Sequence, residues 1–237
     1  MRLTVVGCSP AWQNPGGAQS GYLVEGEGRL LLDCGPGVLP RLRAAEGWPR
    51  VDAIAITHFH LDHWGDLVPW AFGTLYGPGR EVARPELWLP PGGIAELRGV
   101  ESTLGTAAVL EVFAVREYAE AEPFRAAGFE LTPVRMAHYD HATYGFRVTG
   151  GGRTLAYSGD SAPGPHLATL ARSADLFLCE ATLAEPEPAE RGHLTADEAV
   201  ESFRDSGAHR LLVVHRPDEL PLPAGVERAW DGYTTDV

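Results

Sequence analysis

The chain has 237 residues, of which 44% are hydrophobic, and it carries a formal net charge of −13 at pH 7. This apolar content supports a substantial buried core, whereas the acidity argues against a long nucleic acid as a partner, because phosphate binding usually needs a basic face. No apolar run approaches the roughly 18–20 residues of a membrane span, and three dispersed cysteines with no signal-peptide-like N-terminus predict a cytoplasmic protein without membrane contact.

Short apolar runs separated by turn residues predict a chain that alternates strands with helices. In the first half, Gly26-Glu27-Gly28 predicts a hairpin turn, and Gly99 and Gly105 are expected to interrupt a helical stretch. The predicted elements are strands 3–7, 21–25, 29–33, 51–56, 86–89 and 112–115, and helices 38–45, 66–75 and 93–110.

The second half continues the same alternation. Thr195, followed by Asp197 and Glu198, predicts the start of a helix that ends at Gly207. The predicted elements are strands 129–135, 144–148, 154–157, 175–179 and 211–214, and helices 166–173 and 195–207. No linker or low-complexity segment divides the chain, so we predict one α/β domain over residues 1–237, with helices outside two sheets.

Four metal-type side chains follow the apolar strand 51–56 within six residues, namely His58, His60, Asp62 and His63. Imidazole and carboxylate groups suit zinc, manganese or iron. Because this is more than one ion usually takes from one segment, the spacing predicts two ions. His58 and His60 would bind one of them, and Asp62 and His63 would bind its neighbour.

The pattern His-x-His-x-Asp-His after an apolar strand resembles the signature of the metallo-β-lactamase-fold hydrolases. The resemblance implies a four-layer αββα sandwich, in which two mixed sheets carry helices on both outer faces. Asp33, which ends strand 29–33, is either a turn residue or a carboxylate that supports the metal loop from behind. The resemblance favours the supporting role.

Further ligand candidates come at the ends of three later strands. They are His138, with His141 three residues beyond it, then Asp160 and His215. Strand ends at one edge of a sheet converge, so these groups can meet the first loop. The order of the ligands resembles the ribonuclease Z and class II cyclic-nucleotide phosphodiesterase branch of the fold, and most of all the short atypical class II phosphodiesterases. The Val-Val-Gly-Cys-Ser, Tyr-Gly-Phe-Arg, Tyr-Ser-Gly-Asp, Glu-Ala-Thr and His-Leu-Thr segments carry this resemblance too.

The resemblance assigns a role to each ligand. It implies that one ion binds His58, His60 and His138, that the other binds Asp62, His63 and His215, and that Asp160 bridges both. The segment from His138 to Tyr144 is one residue longer than this branch leads us to expect, so His141 remains an alternative ligand. We expect two divalent ions, of which Zn²⁺ suits the ligands best and Mn²⁺ or Fe²⁺ is compatible.

The resemblance also implies catalytic roles outside the ligand set. His193, oriented by Glu180, is a candidate general acid for a leaving alkoxide, although a histidine at a helix entry can also simply pack there. Asp62 would orient the attacking hydroxide as well as ligate. His166 and His209 have no partner in the pattern, and we predict that both are structural or face solvent.

The substrate is predicted to be a small anionic phosphodiester, such as a cyclic nucleotide, attacked by a metal-bridging hydroxide. Ribonuclease Z enzymes carry a long arm that grips tRNA, but only the nine residues 148–156 separate Arg147 from Tyr157 here. Alternatives are a thioesterase, lactonase or β-lactamase on the same fold, a tRNA 3′-end endoribonuclease, or a non-catalytic metal-binding protein. Aromatics at the helical spacing of segment 64–76 are usually core, but they are also candidates for lining the substrate cleft or, where exposed, the face of a homodimer.

Overall fold

The structure of the protein is a computed structural model that describes residues 1–106 and 108–237. Its strands and helices follow one another from the N-terminus as β1 (Arg2–Gly7), β2 (Gly21–Glu25), β3 (Arg29–Leu32), α1 (Val38–Glu46), β4 (Ala53–Ala55), α2 (Leu61–Trp64), α3 (Leu67–Tyr76), β5 (Glu86–Leu89), α4 (Gly93–Leu104), α5 (Ala108–Val112), β6 (Ala114–Glu117), β7 (Phe124–Ala126), β8 (Phe129–Met136), β9 (Thr143–Gly150), β10 (Arg153–Tyr157), α6 (Pro165–Leu170), β11 (Leu176–Glu180), α7 (Ala196–Ser206), β12 (Leu211–Val214), β13 (Glu227–Arg228) and β14 (Thr234–Asp236).

The strands form two mixed sheets of seven strands each. The first sheet has the order β14-β1-β2-β3-β4-β5-β6, and the second has the order β13-β12-β11-β10-β9-β8-β7. In the first sheet β3 to β6 are parallel, and in the second β10 to β13 are parallel. The remaining neighbours are antiparallel. Each half of the chain therefore builds one sheet, except that the C-terminal strand β14 pairs with β1 in the first sheet.

Three apolar layers show how the sheets and helices stack. On β3, Leu30 and Leu32 point into the core between the sheets, whereas Leu31 joins the outer core under the helices. On β11, Leu178 faces the other sheet and Phe177 faces the outer core of the second sheet. A strand that is buried on both faces needs apolar residues at every position, which explains the unbroken apolar runs in the sequence. The predicted αββα sandwich is confirmed.

The helices cover the two outer faces separately. Residues of α1, α3, α4 and α5 pack in the outer core of the first sheet, and residues of α6 and α7 pack in that of the second. Helix α7 begins as predicted, because the Thr195 side chain accepts from the Glu198 amide and the Glu198 side chain accepts from the Thr195 amide. Within residues 1–106 and 108–237, no helix is long and apolar enough to cross a membrane.

Several sequence-based expectations are wrong in detail. The aromatic segment 64–76 is divided, because Trp64 and Trp70 are core residues as their helical spacing predicts, whereas Phe72 and Tyr76 are exposed. Gly99 does not interrupt α4, which runs on to Leu104. Residue 112 belongs to α5 rather than to a strand. The short strands β7, β13 and β14 and the four-residue helix α2 were not predicted.

The sheet topology brings the ends of the ligand-bearing strands to one edge of the sandwich. In the second sheet β9 is antiparallel to both β8 and β10, so β8, β10, β11 and β12 all point in the same direction. The two sheets meet at this edge, where the Tyr144 amide donates to the Thr57 carbonyl across 3.2 Å. The Tyr157 hydroxyl likewise donates to Asp33 across 2.7 Å.

Candidate metal centre

The ligand loop leaves β4 and folds into α2, which sorts its side chains by direction. His58 and His63 are completely buried, Asp62 is nearly so, and His60 is half-buried. Leu61, between two of these polar residues, is instead 62% exposed. The single helical turn therefore directs Asp62 and His63 inwards and leaves Leu61 at the surface.

A first donor group consists of His58, His60, His138 and Asp160. One ligand atom from each lies within 4.8 Å of all the others. The His138 Nε2 and His60 Nδ1 atoms are 2.9 Å apart. Asp160 Oδ2 lies 3.7 Å from His58 Nε2 and 3.9 Å from His138 Nε2. The structure thus brings together the four residues predicted for one ion.

A second donor group consists of Asp62, His63, Asp160 and His215, again with ligand atoms within 4.8 Å of one another. His215 Nε2 lies 3.1 Å from Asp62 Oδ2. Asp160 Oδ1 lies 3.3 Å from His63 Nε2 and 3.7 Å from His215 Nε2. Asp160 therefore faces the first donor group with Oδ2 and the second with Oδ1, which is the placement of a bridging carboxylate.

The donor atoms have the properties that divalent cations require. Among the described residues, the Nε2 atoms of His58 and His63 are buried without a hydrogen-bond partner, and an unpaired buried polar atom is costly unless a cation takes its lone pair. Burial lowers the pKa of His58, and burial together with the neighbouring His138 lowers that of His60 to about 4. Both imidazoles are therefore neutral near pH 7, as ligation demands, whereas the effect of burial on His63 is outweighed by Asp160, Asp62 and Asp33, which raise its pKa.

Asp33 lies directly behind this loop, where the sequence analysis placed its supporting role. It is completely buried and adopts a left-handed backbone conformation, with φ of 59°. His63 Nδ1 donates to Asp33 Oδ2 across 2.8 Å, and the Thr57 amide donates to Oδ1 across 2.8 Å. The bond from Nδ1 orients the His63 ring and leaves its Nε2 free to face the second donor group.

Of His138 and His141, the structure brings only His138 into the first donor group. His138 is buried, and its Nδ1 donates to the Gly192 carbonyl across 2.6 Å. His141 is exposed and lies outside both donor groups, although its ring centroid is only 4.2 Å from that of His60. Since β8 ends at Met136, His138 is the first histidine to reach the edge of the sheet.

Glu180 and His193 form a pair beside the two donor groups, and one ligand atom from each also lies within 4.8 Å of one from His215. His193 Nδ1 donates to Glu180 Oε1 across 2.8 Å, and the buried Glu180 carboxylate also accepts from the Ser161 amide. Burial opposes the charged imidazole, but the Glu180 carboxylate outweighs it and raises the pKa of His193 to about 9. The His193 ring lies 4.8 Å from that of His138 and 5.8 Å from that of His215. A protonated imidazole therefore borders the donor groups at neutral pH.

Sequence reasoning missed several groups that hold these side chains. The Tyr157 hydroxyl donates to Asp33, and the Thr57 and Thr182 hydroxyls contact ligand imidazoles. Tyr157 and Thr182 lie inside segments that carry the family resemblance, and Thr57 immediately precedes His58, but no role was derived for any of the three. His209 is exposed and His166 Nε2 lies 2.8 Å from the Ser161 hydroxyl, which are a solvent-facing and a structural placement, respectively.

Comparison with known proteins agrees with this geometry. A family model for a β-lactamase superfamily domain matches residues 28–216. An uncharacterized protein of Mycobacterium leprae is 32% identical over 223 residues, which cover 92% of this chain and 78% of that protein. Ribonuclease Z of Salinibacter ruber is 32% identical over 268 residues, covering 88% of this chain and 82% of that protein.

A solved structure extends the match to nearly the whole fold. The crystal structure of YhfI from Bacillus subtilis, a metallo-β-lactamase fold protein, has a TM-score of 0.85 at 24% identity and covers 99% of each chain. YhfI, which is named as a metallo-hydrolase, is 28% identical by sequence over 92% of this chain and 87% of its own length. The family match and these relatives show that the chain belongs to the β-lactamase superfamily and is one of its metal-dependent hydrolases.

Proposed function

We propose that this hydrolase is a binuclear phosphodiesterase that cleaves small anionic phosphodiesters, with cyclic nucleotides as the leading candidates. The observation that carries the proposal is the contact of 2.8 Å between His193 Nδ1 and the buried Glu180 carboxylate, beside two donor groups that share Asp160. Such an arrangement combines electrophilic stabilisation on one side of a substrate with a proton donor on the other.

The two donor groups would hold two divalent cations, for which we propose Zn²⁺, with Mn²⁺ and Fe²⁺ as the alternatives that the same ligands accept. When bound, such ions activate a water molecule at neutral pH and neutralise charge on the non-bridging phosphate oxygens. We also propose that Asp62, whose Oδ2 lies 3.1 Å from His215 Nε2, orients the attacking water in addition to binding an ion. The chain itself then provides the ligands, the orientation of the nucleophile and the proton donor.

His193 supplies the proton that the leaving group needs. As the bond between phosphorus and the leaving oxygen breaks, His193 Nε2 donates its proton to that oxygen, while Nδ1 remains bonded to Glu180. An alkoxide is a poor leaving group and gains much from this proton. A thiolate is a much weaker base, because the pKa of a thiol is about 8.5. It therefore leaves readily and gains little from a donated proton. The pair therefore favours a phosphodiester over a thioester.

The surroundings of the site favour a small substrate. Strands β9 and β10 are joined only by Gly151 and Gly152, so no arm extends from this hairpin. Asp140 and Glu190 are exposed, and they lie within three residues of His138 and His193 in the chain, respectively. Their negative charges repel a long polyanion. A compact diester with one or two charges meets less of this repulsion. The relative named ribonuclease Z makes RNA the alternative substrate to be tested.

The decisive experiment measures turnover of 3′,5′-cyclic AMP by metal-replete protein. Bis(p-nitrophenyl) phosphate serves as an activated phosphodiester, and a precursor tRNA and a thioester serve as competing substrate classes. We expect the protein to hydrolyse both phosphodiesters and to turn over the tRNA and the thioester much more slowly. Cleavage of the thioester alone, by protein that contains two ions, would overturn the proposal. Preferential cleavage of the tRNA would replace the small substrate with RNA.

A further inference from the structure

Two threonine hydroxyls contact an imidazole Nδ1 atom of the donor groups in the same way. Each threonine lies two residues after the end of a strand, Thr57 after β4 of the first sheet and Thr182 after β11 of the second. In the first sheet, the Thr57 hydroxyl donates to the Asp33 carboxylate, 2.9 Å from Oδ2, and the Thr57 amide donates to Oδ1 across 2.8 Å. His58 Nδ1 lies 3.0 Å from the Thr57 oxygen, and His63 Nδ1 donates to Asp33 directly. One buried carboxylate thus anchors two imidazoles, His58 through a hydroxyl and His63 directly.

The second sheet repeats this arrangement around Glu180. The Thr182 amide and hydroxyl both lie in hydrogen-bond reach of Glu180 Oε2, at 3.0 and 2.9 Å. His215 Nδ1 lies 2.8 Å from the Thr182 oxygen, and His193 Nδ1 donates to Glu180 directly. Here too, one buried carboxylate anchors two imidazoles, His215 through the Thr182 hydroxyl and His193 directly.

The two arrangements are built from different chain positions. Thr57 immediately precedes its imidazole, His58, and follows the strand next to that of Asp33. Thr182 instead follows its carboxylate by two residues, and its imidazole, His215, comes from the neighbouring strand. The same hydrogen-bond pattern therefore does not follow from sequence proximity. Its recurrence beside each donor group indicates a shared requirement of the ligands.

That requirement is the tautomer of the imidazole. A threonine hydroxyl has one proton, and each hydroxyl directs it to an oxygen: Thr57 to Asp33, and Thr182 to Glu180 or to the His215 carbonyl 3.0 Å away. The oxygen can then only accept a hydrogen bond from Nδ1 of the imidazole. The proton is fixed on Nδ1, and the lone pair on Nε2 faces the donor group.

We propose that Thr57 and Thr182 are paired positioning residues that fix the Nδ1–H tautomer of His58 and His215, each through a hydroxyl anchored on a buried carboxylate. This assignment rests on the metal ligands of the proposed function. His58 belongs to the first donor group and His215 to the second, so Thr57 governs the affinity for one ion and Thr182 that for the other.

The test compares Thr57→Val and Thr182→Val with Thr57→Ser and Thr182→Ser. Valine keeps the shape and removes the hydroxyl, whereas serine keeps the hydroxyl and removes the methyl group. Stepwise Zn²⁺ affinities are measured by chelator competition. Loss of an outer-sphere partner typically weakens metal affinity about 10–100-fold, so each valine variant is expected to weaken one of the two binding steps by that factor. The serine variants are expected to stay close to the wild type.

Thr143→Val is the matched control, because the Thr143 hydroxyl is also buried but has no hydrogen-bond partner among the described residues. A second measurement does not depend on how the variants fold. Nitrogen-15 NMR of the zinc-loaded wild type is expected to show protons on Nδ1 of His58 and His215. Wild-type affinity for both ions in the folded valine variants, or protons on Nε2 of these histidines, would overturn the proposal.

Failure of this proposal is distinguishable from failure of the proposed function. A wild-type protein that binds two ions but cleaves no phosphodiester would refute the reaction, while the affinities of the valine variants would still decide the roles of Thr57 and Thr182. A wild-type protein that binds fewer than two ions would refute both. Normal phosphodiester turnover together with unchanged affinities in the valine variants would refute only the tautomer assignment.

Discussion

The Nδ1 atom of His138 donates a hydrogen bond of 2.6 Å to the carbonyl oxygen of Gly192. This bond ties a residue of the first donor group to the residue that immediately precedes the proposed acid, His193. The Tyr139 ring packs against the Cα atom of Gly192, and the Gly192 amide donates to Glu187 across 2.9 Å. Gly192 thus connects the segment that carries His138 to the loop that carries His193.

Replacing Gly192 with alanine is expected to disturb both functions at once. A Cβ atom at this position would overlap the Tyr139 ring, so the ring or the loop must move. Because both His138 and His193 depend on this contact, we expect weaker metal binding together with lower turnover, about 10-fold or more for a misplaced catalytic group. The two readouts are chelator competition and phosphodiester kinetics.

Gly99→Ala provides the control for this substitution. Gly99 lies on the exposed side of α4 with open space where a Cβ would be placed. Alanine there should leave metal affinity and turnover unchanged, and should raise the free energy of unfolding by about 0.4–1 kcal/mol. Unchanged metal affinity and turnover in Gly192→Ala as well would show that the loop is held by other contacts.

His138 and His141 offer a matched pair for testing the ligand assignment. His138→Ala removes a buried donor of the first donor group, whereas His141→Ala removes an exposed imidazole outside it. We expect His138→Ala to lose one equivalent of metal and His141→Ala to retain both, as measured by elemental analysis of dialysed protein. Loss of an ion in His141→Ala with retention in His138→Ala would reverse the assignment.

The sequence indicated these candidate donor residues because four of them closely follow apolar strands. His58, His138, Asp160 and His215 all lie within three residues of a strand end, and the parallel course of these strands brings their ends to one edge. The alternation of apolar and polar residues was enough to find those strands. The resemblance to a known family then assigned each ligand to an ion.

The partners of the ligands could not be predicted in the same way. Tyr157 and Asp33 are 124 residues apart in the chain, and their contact exists only because the two sheets pack face to face. The Gly192 carbonyl is a backbone group, so no side chain in the sequence indicates that it accepts a hydrogen bond from His138. The edge strands β7 and β13 have only three and two residues, too short for a periodic pattern. These features depend on tertiary packing rather than on local sequence.

Asp33→Asn tests the support behind the ligand loop. The substitution preserves the shape of the side chain but removes the charge that accepts from His63 Nδ1 and from the Tyr157 hydroxyl. We expect metal affinity to fall about 10–100-fold, as for other residues that orient a ligand. Isothermal titration with Zn²⁺ on folded protein is the measurement. An unchanged affinity would mean that the loop is rigid without this carboxylate.

The pH dependence of turnover follows from the pair of His193 and Glu180. His193 acts in its protonated form, and the protonated fraction falls as the pH rises through its pKa, which Glu180 raises to about 9. Nearby cations repel an imidazolium and lower this value. We therefore expect turnover of a cyclic nucleotide to decline along a basic limb at or below about pH 9. A rate that stays constant up to pH 10 would argue against His193 as the acid.

His193→Ala should slow the reaction according to how much the leaving group needs a proton. For 3′,5′-cyclic AMP, which expels an alkoxide, we expect turnover to fall about 10²–10⁴-fold, the usual contribution of a general acid. For bis(p-nitrophenyl) phosphate, which expels a stabilised phenolate, the loss should be much smaller. Metal content should not change, because the two donor groups that share Asp160 supply seven ligands without His193, although His193 also clusters with Glu180 and His215. His209→Ala, at an exposed histidine, should leave both rates at the wild-type level. Equal losses on the two substrates would instead show that His193 acts on a step before the leaving group departs.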